Sequence, residues 1–232
     1  MCQKVRLKPE KSIKLYYRLE KEIDECMKDA IIISTENLSF ANHARIKLLS
    51  EATAKYRVTI ILYVRDQPSI LLSAYLQWIR MLKIPVYEQL IDFIENHASS
   101  FDYRSILSKY EQAFGVDNII VRHYRKDLLK SGDVVVDFAS LCNIELSSEC
   151  HVSTNRSLSL QVLPLALLIN KLDIPKTQKQ SLMSSLGELS DTLPFQSAKP
   201  MIDVKMHDWI LNRFSESNEY ICSTYGINLN AS

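Results

Sequence analysis

Residues 58–75 read VTIILYVRDQPSILLSAY, and the fold turns on where this stretch stops being a strand and becomes a helix. Residues 58–64 are a largely β-branched run without polar alternation, which predicts a strand buried on both faces. After Pro68 the apolar residues Leu71, Ala74, Tyr75, Trp78, Ile79 and Leu82 line one helical stripe. Asp66 or Gln67 falls near the helix cap and Pro68 near the first helical position, where a missing N–H costs nothing. Arg65 therefore stands at the end of a buried strand, eight residues before Ser73 on the helix that follows.

Working outward, residues 10–29 place Ile13, Tyr16, Tyr17, Leu19, Ile23 and Met27 at helical spacings among many charges, the pattern of an amphipathic helix. AIIIS at 30–34 is too short for a helix and predicts a buried strand. A helix over 42–55 separates it from the strand at 58–64, and strand, helix, strand implies a parallel crossover. Two further helices are expected near 86–96 and 102–113, and IIVRHY at 119–124 gives a third strand. GDVVVDFASLCNI, from Gly132, has valines that suit a strand. Val135, Phe138, Ala139 and Cys142 repeat at helical spacing, however, and predict a helix. The tail alternates helices with breaks at Pro164, Pro175, Pro194 and Pro200. The whole reads as one domain, an α/β layer with a parallel sheet over about 10–145 and a mainly helical part over 146–232.

Composition narrows the function classes. With 47% hydrophobic and 24% charged residues in 232, disorder is excluded and a full-sized core is expected. A net charge of +1 gives no global reason to expect nucleic acid or an anionic membrane as partner. The five cysteines are scattered without a CxxC pair, which suits reduced intracellular thiols, and the dispersed histidines predict no metal site. MCQKVRLKPEK has no apolar signal core, and no apolar run reaches the roughly 18 residues a membrane span needs. A cytoplasmic location is expected.

Ligands of parallel sheets sit beyond the carboxyl ends of the strands, and Glu36, Arg65 and Tyr124 each fall at or just past such an end. A guanidinium there offers a rigid fork of donors matched to phosphate, Ser73 can add a hydroxyl, and the helix N-terminus nearby favours an anion. The plainer alternative pairs Arg65 with Asp66 or another carboxylate and makes Ser73 a small residue in a packed helix. Glu36 can equally be a first-turn helix residue after Ser34 or Thr35. Asn155, Arg156, Ser157 and Ser159 could contact the acceptor or donor, but Asn and Ser before an apolar helix more often act as caps, and Arg122, His123, Arg125 and Lys126 suit a solvated face with His123 structural. Tyr16, Tyr17, Tyr75 and Trp78 suit the core.

VRDQPSILLSAY resembles the second nucleotide motif of sulfotransferases that use 3'-phosphoadenosine 5'-phosphosulfate, in which a strand ends in Arg, often followed by Asp-Pro, with Ser eight residues after the Arg. Here the Pro stands one place later. The resemblance implies that Arg65 and Ser73 grip the 3'-phosphate. IIISTENLS resembles the preceding strand in the Golgi-type and bacterial polysaccharide-modifying members and implies that Glu36 is the catalytic base. DNIIVRHYRKDLLKSGDVVVDFASLCNI is similar to a later segment and implies that Tyr124 lies against adenine. TNRSLSLQVLPLALLIN and RFSESNEYICSTYGI also look like bacterial members, so the similarity covers about residues 15–228. It implies a P-loop NTPase-like three-layer sandwich with a parallel sheet, incomplete at the N-terminus, plus C-terminal helices. The implied reaction moves a sulfuryl group to a hydroxyl of a glycan or similar acceptor, without metal.

The chain departs from that family at its start. The family's 5'-phosphosulfate loop needs glycine, because backbone must approach phosphate closely. The glycines here are Gly115, Gly132, Gly187 and Gly226, and no apolar run before Ile31 suits a first strand. The expectation is therefore a sulfotransferase-like protein whose sequence either starts after the true N-terminus, or is completed by another chain as a homo-oligomer or beside a complete homologue, or has rebuilt its sheet and lost the reaction; a shortened form, inactive alone, is the simplest of these. The alternative is a non-catalytic interaction protein that retains the fold.

Overall fold

A computed structural model describes residues 9–26, 28, 30–83, 89–146 and 158–230. Along the chain, α1 (Pro9–Glu25) is followed by an irregular segment, a single 3-10 turn at Glu36–Leu38, and α2 (His43–Ala52). Strand β1 (Ile60–Val64) leads into α3 (Gln67–Arg80), then α4 (Leu90–His97), α5 (Tyr103–Phe114) and β2 (Ile119–His123). Beyond it lie α6 (Val134–Leu141), α7 (Leu163–Lys171), α8 (Lys176–Thr192), α9 (Val204–Arg213) and α10 (Ser215–Tyr225). The protein is α/β and mostly helical, with β1 and β2 paired in a small parallel sheet.

Short polar side chains start several of the helices, because the first N–H groups of a helix have no partner within it. Asn42 Oδ1 accepts from Arg45 N at 3.0 Å, Asp102 Oδ1 from Ser105 N at 3.2 Å and Asp203 Oδ1 from Met206 N at 2.7 Å. Asp133 Oδ1 accepts from both Val135 N at 2.7 Å and Val136 N at 3.1 Å. Gly115 ends α5 with φ +82°, a conformation that any side chain would strain. Pro164 sits in the first turn of α7 rather than breaking the chain, as its missing N–H allows.

The chain divides into two compact units, Met1–Val64 with Asp102–Arg122, and Arg65–Phe101 with His123–Ser232. In the first, Ile46 and Leu49 of α2 and Ile106, Leu107 and Tyr110 of α5 are buried. Tyr110 Oη donates to Leu38 O at 2.8 Å and Lys109 Nζ to Ala41 O at 3.2 Å, which ties the segment before α2 to α5. Burial, with Tyr16 adding, pushes the Tyr110 hydroxyl up to about 12, so it remains a donor at any ordinary pH.

The second unit is built around α3. Leu71, Tyr75 and Ile79 are almost wholly buried, and they pack in one cluster with Phe93 and Ile94 of α4, Ala166 of α7 and Ile210 of α9. Phe93 meets Trp78 in a T-shaped contact at 5.2 Å between centroids and a tilted Tyr75 at 5.5 Å. At the far end of α3, Asn170 Nδ2 donates to Ile79 O at 3.0 Å, beside the Leu82 N–H that the same carbonyl accepts at 3.0 Å.

Three expectations fail. Residues 30–34 form no strand, and Ile31, Ile32 and Ile33 are 42, 47 and 44% exposed. The run has strand propensity, but among the described residues no strand pairs with it, and an unpaired strand is not stable alone. Residues Ile60–Tyr63 are half-buried rather than covered on both faces, because a sheet of two strands leaves each with an open edge. Tyr17 is 70% exposed and lies outside the core, whereas its neighbour Tyr16 turns inward and donates to Arg45 O at 3.0 Å. Among the described residues no helix is long and apolar enough to cross a membrane.

Phe93 is the shared contact of the aromatic group, so Phe93→Ala should lower unfolding free energy by about 3–5 kcal/mol. Urea denaturation followed by tryptophan fluorescence measures this, and an unchanged midpoint would mean that α4 does not complete the core.

Candidate functional site

Parallel pairing brings the carboxyl ends of β1 and β2 to one edge, and the residues that follow those ends belong to the same compact unit. Arg65 and Asp66 follow β1; Tyr124 and Arg125 follow β2, which ends at His123. Arg65 is half-buried, and the chain turns from strand to helix within two residues of it.

That turn is nearly complete in its hydrogen bonding. Asp66 Oδ1 accepts from Ser69 N at 2.8 Å, Asp66 O accepts from Ile70 N at 3.0 Å, and Pro68 has no N–H. Of the first four groups of α3, only the Gln67 N–H is left without a bond of this turn. The sequence suggested a helix end open to an anion, but the Asp66 carboxylate already answers the end of the helix. Any affinity for a further anion rests on side-chain charge, above all on the Arg65 guanidinium.

Ser73 is half-buried on the less covered stripe of α3, with Ser69, Gln77 and Arg80, while Leu72, Ala74 and Tyr75 on either side of it are buried. It stands about 9 Å along the axis from Gln67, at a rise of 1.5 Å per residue. Tyr124 is 43% exposed. Behind it, the chain winds through a tight turn in which Leu129 N donates to Arg125 O at 3.1 Å and Gly132 N to Leu129 O at 2.9 Å. Asp137, 2% exposed on α6, holds that turn by accepting from Lys130 N at 3.0 Å. Arg125 Nε lies 2.9 Å from Asp127 Oδ1. His123 is half-buried; burial holds its imidazole below the usual range and Arg125 adds to this, while Asp66 and Asp127 oppose it.

The structure thus brings Arg65, Ser73 and Tyr124 into one unit, with Glu36 in the other. Glu36 is exposed and opens the 3-10 turn capped by Thr35, whose Oγ1 accepts from Asn37 N at 3.2 Å. It follows the irregular 30–34 segment, not a strand end. Asn155, Arg156 and Ser157 lie outside the described residues, while Ser159 is fully buried and its Oγ accepts from Gln196 N at 3.0 Å. Among the described residues no group of three or more His, Cys, Asp or Glu is placed to hold a metal.

Sequence reading missed a buried amide pair beside Arg65. Gln67 is fully buried, and its Nε2 donates to Asn218 Oδ1 at 2.6 Å, while Asn218 Nδ2 donates back to Gln67 Oε1 at 3.1 Å. Asn218, 2% exposed on α10, also donates to Asn230 Oδ1 at 2.8 Å. The available signal was position: Gln67 continues the stripe of Leu71, Tyr75 and Ile79 backward by one turn, so an amide there must be buried and must find a partner.

No family model matches the chain, and no solved structure matches it. An uncharacterized protein of Archaeoglobus fulgidus is 30% identical over 169 residues, which is 72% of this chain and 45% of that relative. The chain therefore spans less than half the length of the curated relative it matches.

The lowered His123 pKa fixes a sign. The unfolded chain takes up a proton near pH 6.5 while the folded one resists it, so His123 contributes stability that is fully present above that pH and is lost as pH falls through the folded pKa. Thermal melts from pH 7.5 to 5 should fall less steeply for His123→Gln than for the wild type; parallel curves would remove His123 from the account.

Proposed function

We propose that the carboxyl edge of β1 and β2 binds the terminal phosphate of a nucleotide, and that the protein is sulfotransferase-like. The observation that supports this most is the parallel pair itself, whose two ends put Arg65 and Tyr124 on one edge, with Ser73 on the helix that leaves it. In this reading the α/β unit is a reduced form of a P-loop NTPase-like three-layer sandwich. Arg65 and Ser73 hold the 3'-phosphate of 3'-phosphoadenosine 5'-phosphosulfate, and Tyr124 lies against adenine.

Transfer requires an acceptor oxygen, from a glycan hydroxyl or a similar group, to attack the sulfur. A new S–O bond forms, the S–O bond to the 5'-phosphate breaks, and 3',5'-bisphosphate departs with the electron pair. The reaction needs a base for the acceptor proton, the role that the sequence resemblance implies for Glu36, which is exposed. The leaving phosphate needs donors of its own. Within this sequence no glycine precedes Gly115 to build a phosphate loop, so in this reading those donors lie outside it.

The second reading is a non-catalytic interaction protein that retains this fold. The exposed Ile31, Ile32 and Ile33 favour it, since an unpaired apolar run of this kind suits pairing with another chain.

Calorimetric titration with adenosine 3',5'-bisphosphate tests the site. Arg65→Ala should weaken binding by about 10–100-fold and Ser73→Ala by about 3–10-fold, the difference between a charged and a neutral hydrogen bond. Wild type and Arg65→Ala binding equally would remove the nucleotide site. Tight binding without sulfuryl transfer to any hydroxyl acceptor would favour the second reading.

A further inference from the structure

We infer that Gln67 and Asn218 form a positioning clamp, through which the C-terminal helix fixes Arg65 for the anion; the inference rests on the nucleotide reading above. Gln67 is two residues from Arg65, at the first position of α3, so whatever holds its side chain holds the backbone on which Arg65 is mounted. Two opposed hydrogen bonds hold it, at 2.6 and 3.1 Å, and a pair of this kind resists rotation in a way that a single bond or an apolar contact does not.

Asn218 is itself fixed. Its Oδ1 accepts from Gln67, and its two N–H groups go to Gln67 Oε1 and Asn230 Oδ1, which uses its donors fully. Asn230 is steadied in turn by its own N–H, which donates to Asn228 Oδ1 at 2.9 Å. The chain of amides runs from the exposed C-terminal segment, through a site 2% exposed, to the residue beside the cap of α3.

Packing alone does not call for amides here. Leu71, Tyr75 and Ile79 fill the same stripe with apolar atoms, and a leucine or methionine at 67 would bury without needing a partner. The amide choice adds direction. It is also neutral at every pH: a carboxylate at 67 or 218 could make similar bonds, but its charge would attract the Arg65 guanidinium and compete with a bound phosphate. A neutral clamp orients the backbone beside the cation and adds no charge of its own.

The test compares adenosine 3',5'-bisphosphate affinity with thermal stability in three variants of the full chain. Asn218→Leu strands a buried amide, and both affinity and melting temperature should fall, affinity by about tenfold. Gln67→Met with Asn218→Leu replaces both amides by apolar groups of similar size, which restores stability but not direction. In this double variant the melting temperature should return towards that of the wild type while affinity stays about five- to tenfold weaker. A purely structural pair would instead recover affinity together with stability. Asn230→Ala, at an exposed position, removes only the outer bond and should weaken binding about two- to threefold with little change in melting. Wild-type affinity in both the double variant and Asn230→Ala overturns the clamp while leaving the nucleotide site standing; failure of the wild type to bind the bisphosphate overturns both.

Discussion

Two hydrogen-bonded strands that run in the same direction must also end on the same side. Parallel pairing of β1 with β2 is the constraint on which the rest of the site depends, because the two strands are separated by more than fifty residues in sequence and nothing local would bring Arg65 and Tyr124 to one edge. Such a pair needs a long crossover, and here the crossover carries α3, α4 and α5. The first of these does double duty. Its buried stripe centres the helical unit, and its N-terminal half follows Arg65 and carries Ser73.

The economy of that turn is electrostatic. Asp66 spends its carboxylate on the cap of α3, Arg125 pairs with Asp127, and Gln67 is fixed by a neutral amide. Both carboxylates named here thus have partners already, one in the cap of α3 and one in Arg125. In the proposed nucleotide reading, selectivity for an anion depends on where the Arg65 guanidinium points more than on a general positive field, and this is why a positioning contact next to Arg65 carries weight.

Much of this was legible in residues 58–75, where the hydrophobic period changes from a continuous run to helical spacing at Asp66 and Pro68. The helix at 134–141 was legible for the same reason, since spacing outweighed the strand preference of three valines. The isoleucine run at 30–34 was misread because propensity is a property of the segment, whereas a strand requires a partner, and a partner is a property of the fold. Tyr17 was misread because two adjacent tyrosines cannot both face one side of a helix. Of the candidate site, Arg65, Ser73 and Tyr124 could be placed from motif and spacing, but the Asn218 partner of Gln67 lies 151 residues away and no local pattern announces it.

The central claim is that a phosphate is received at the shared end of the two strands. Amide chemical-shift mapping during titration with adenosine 3',5'-bisphosphate tests it most directly. The account predicts saturable shifts concentrated at residues 65–73 and 123–125. Shifts confined to other parts of the chain, or none at millimolar ligand, would contradict it.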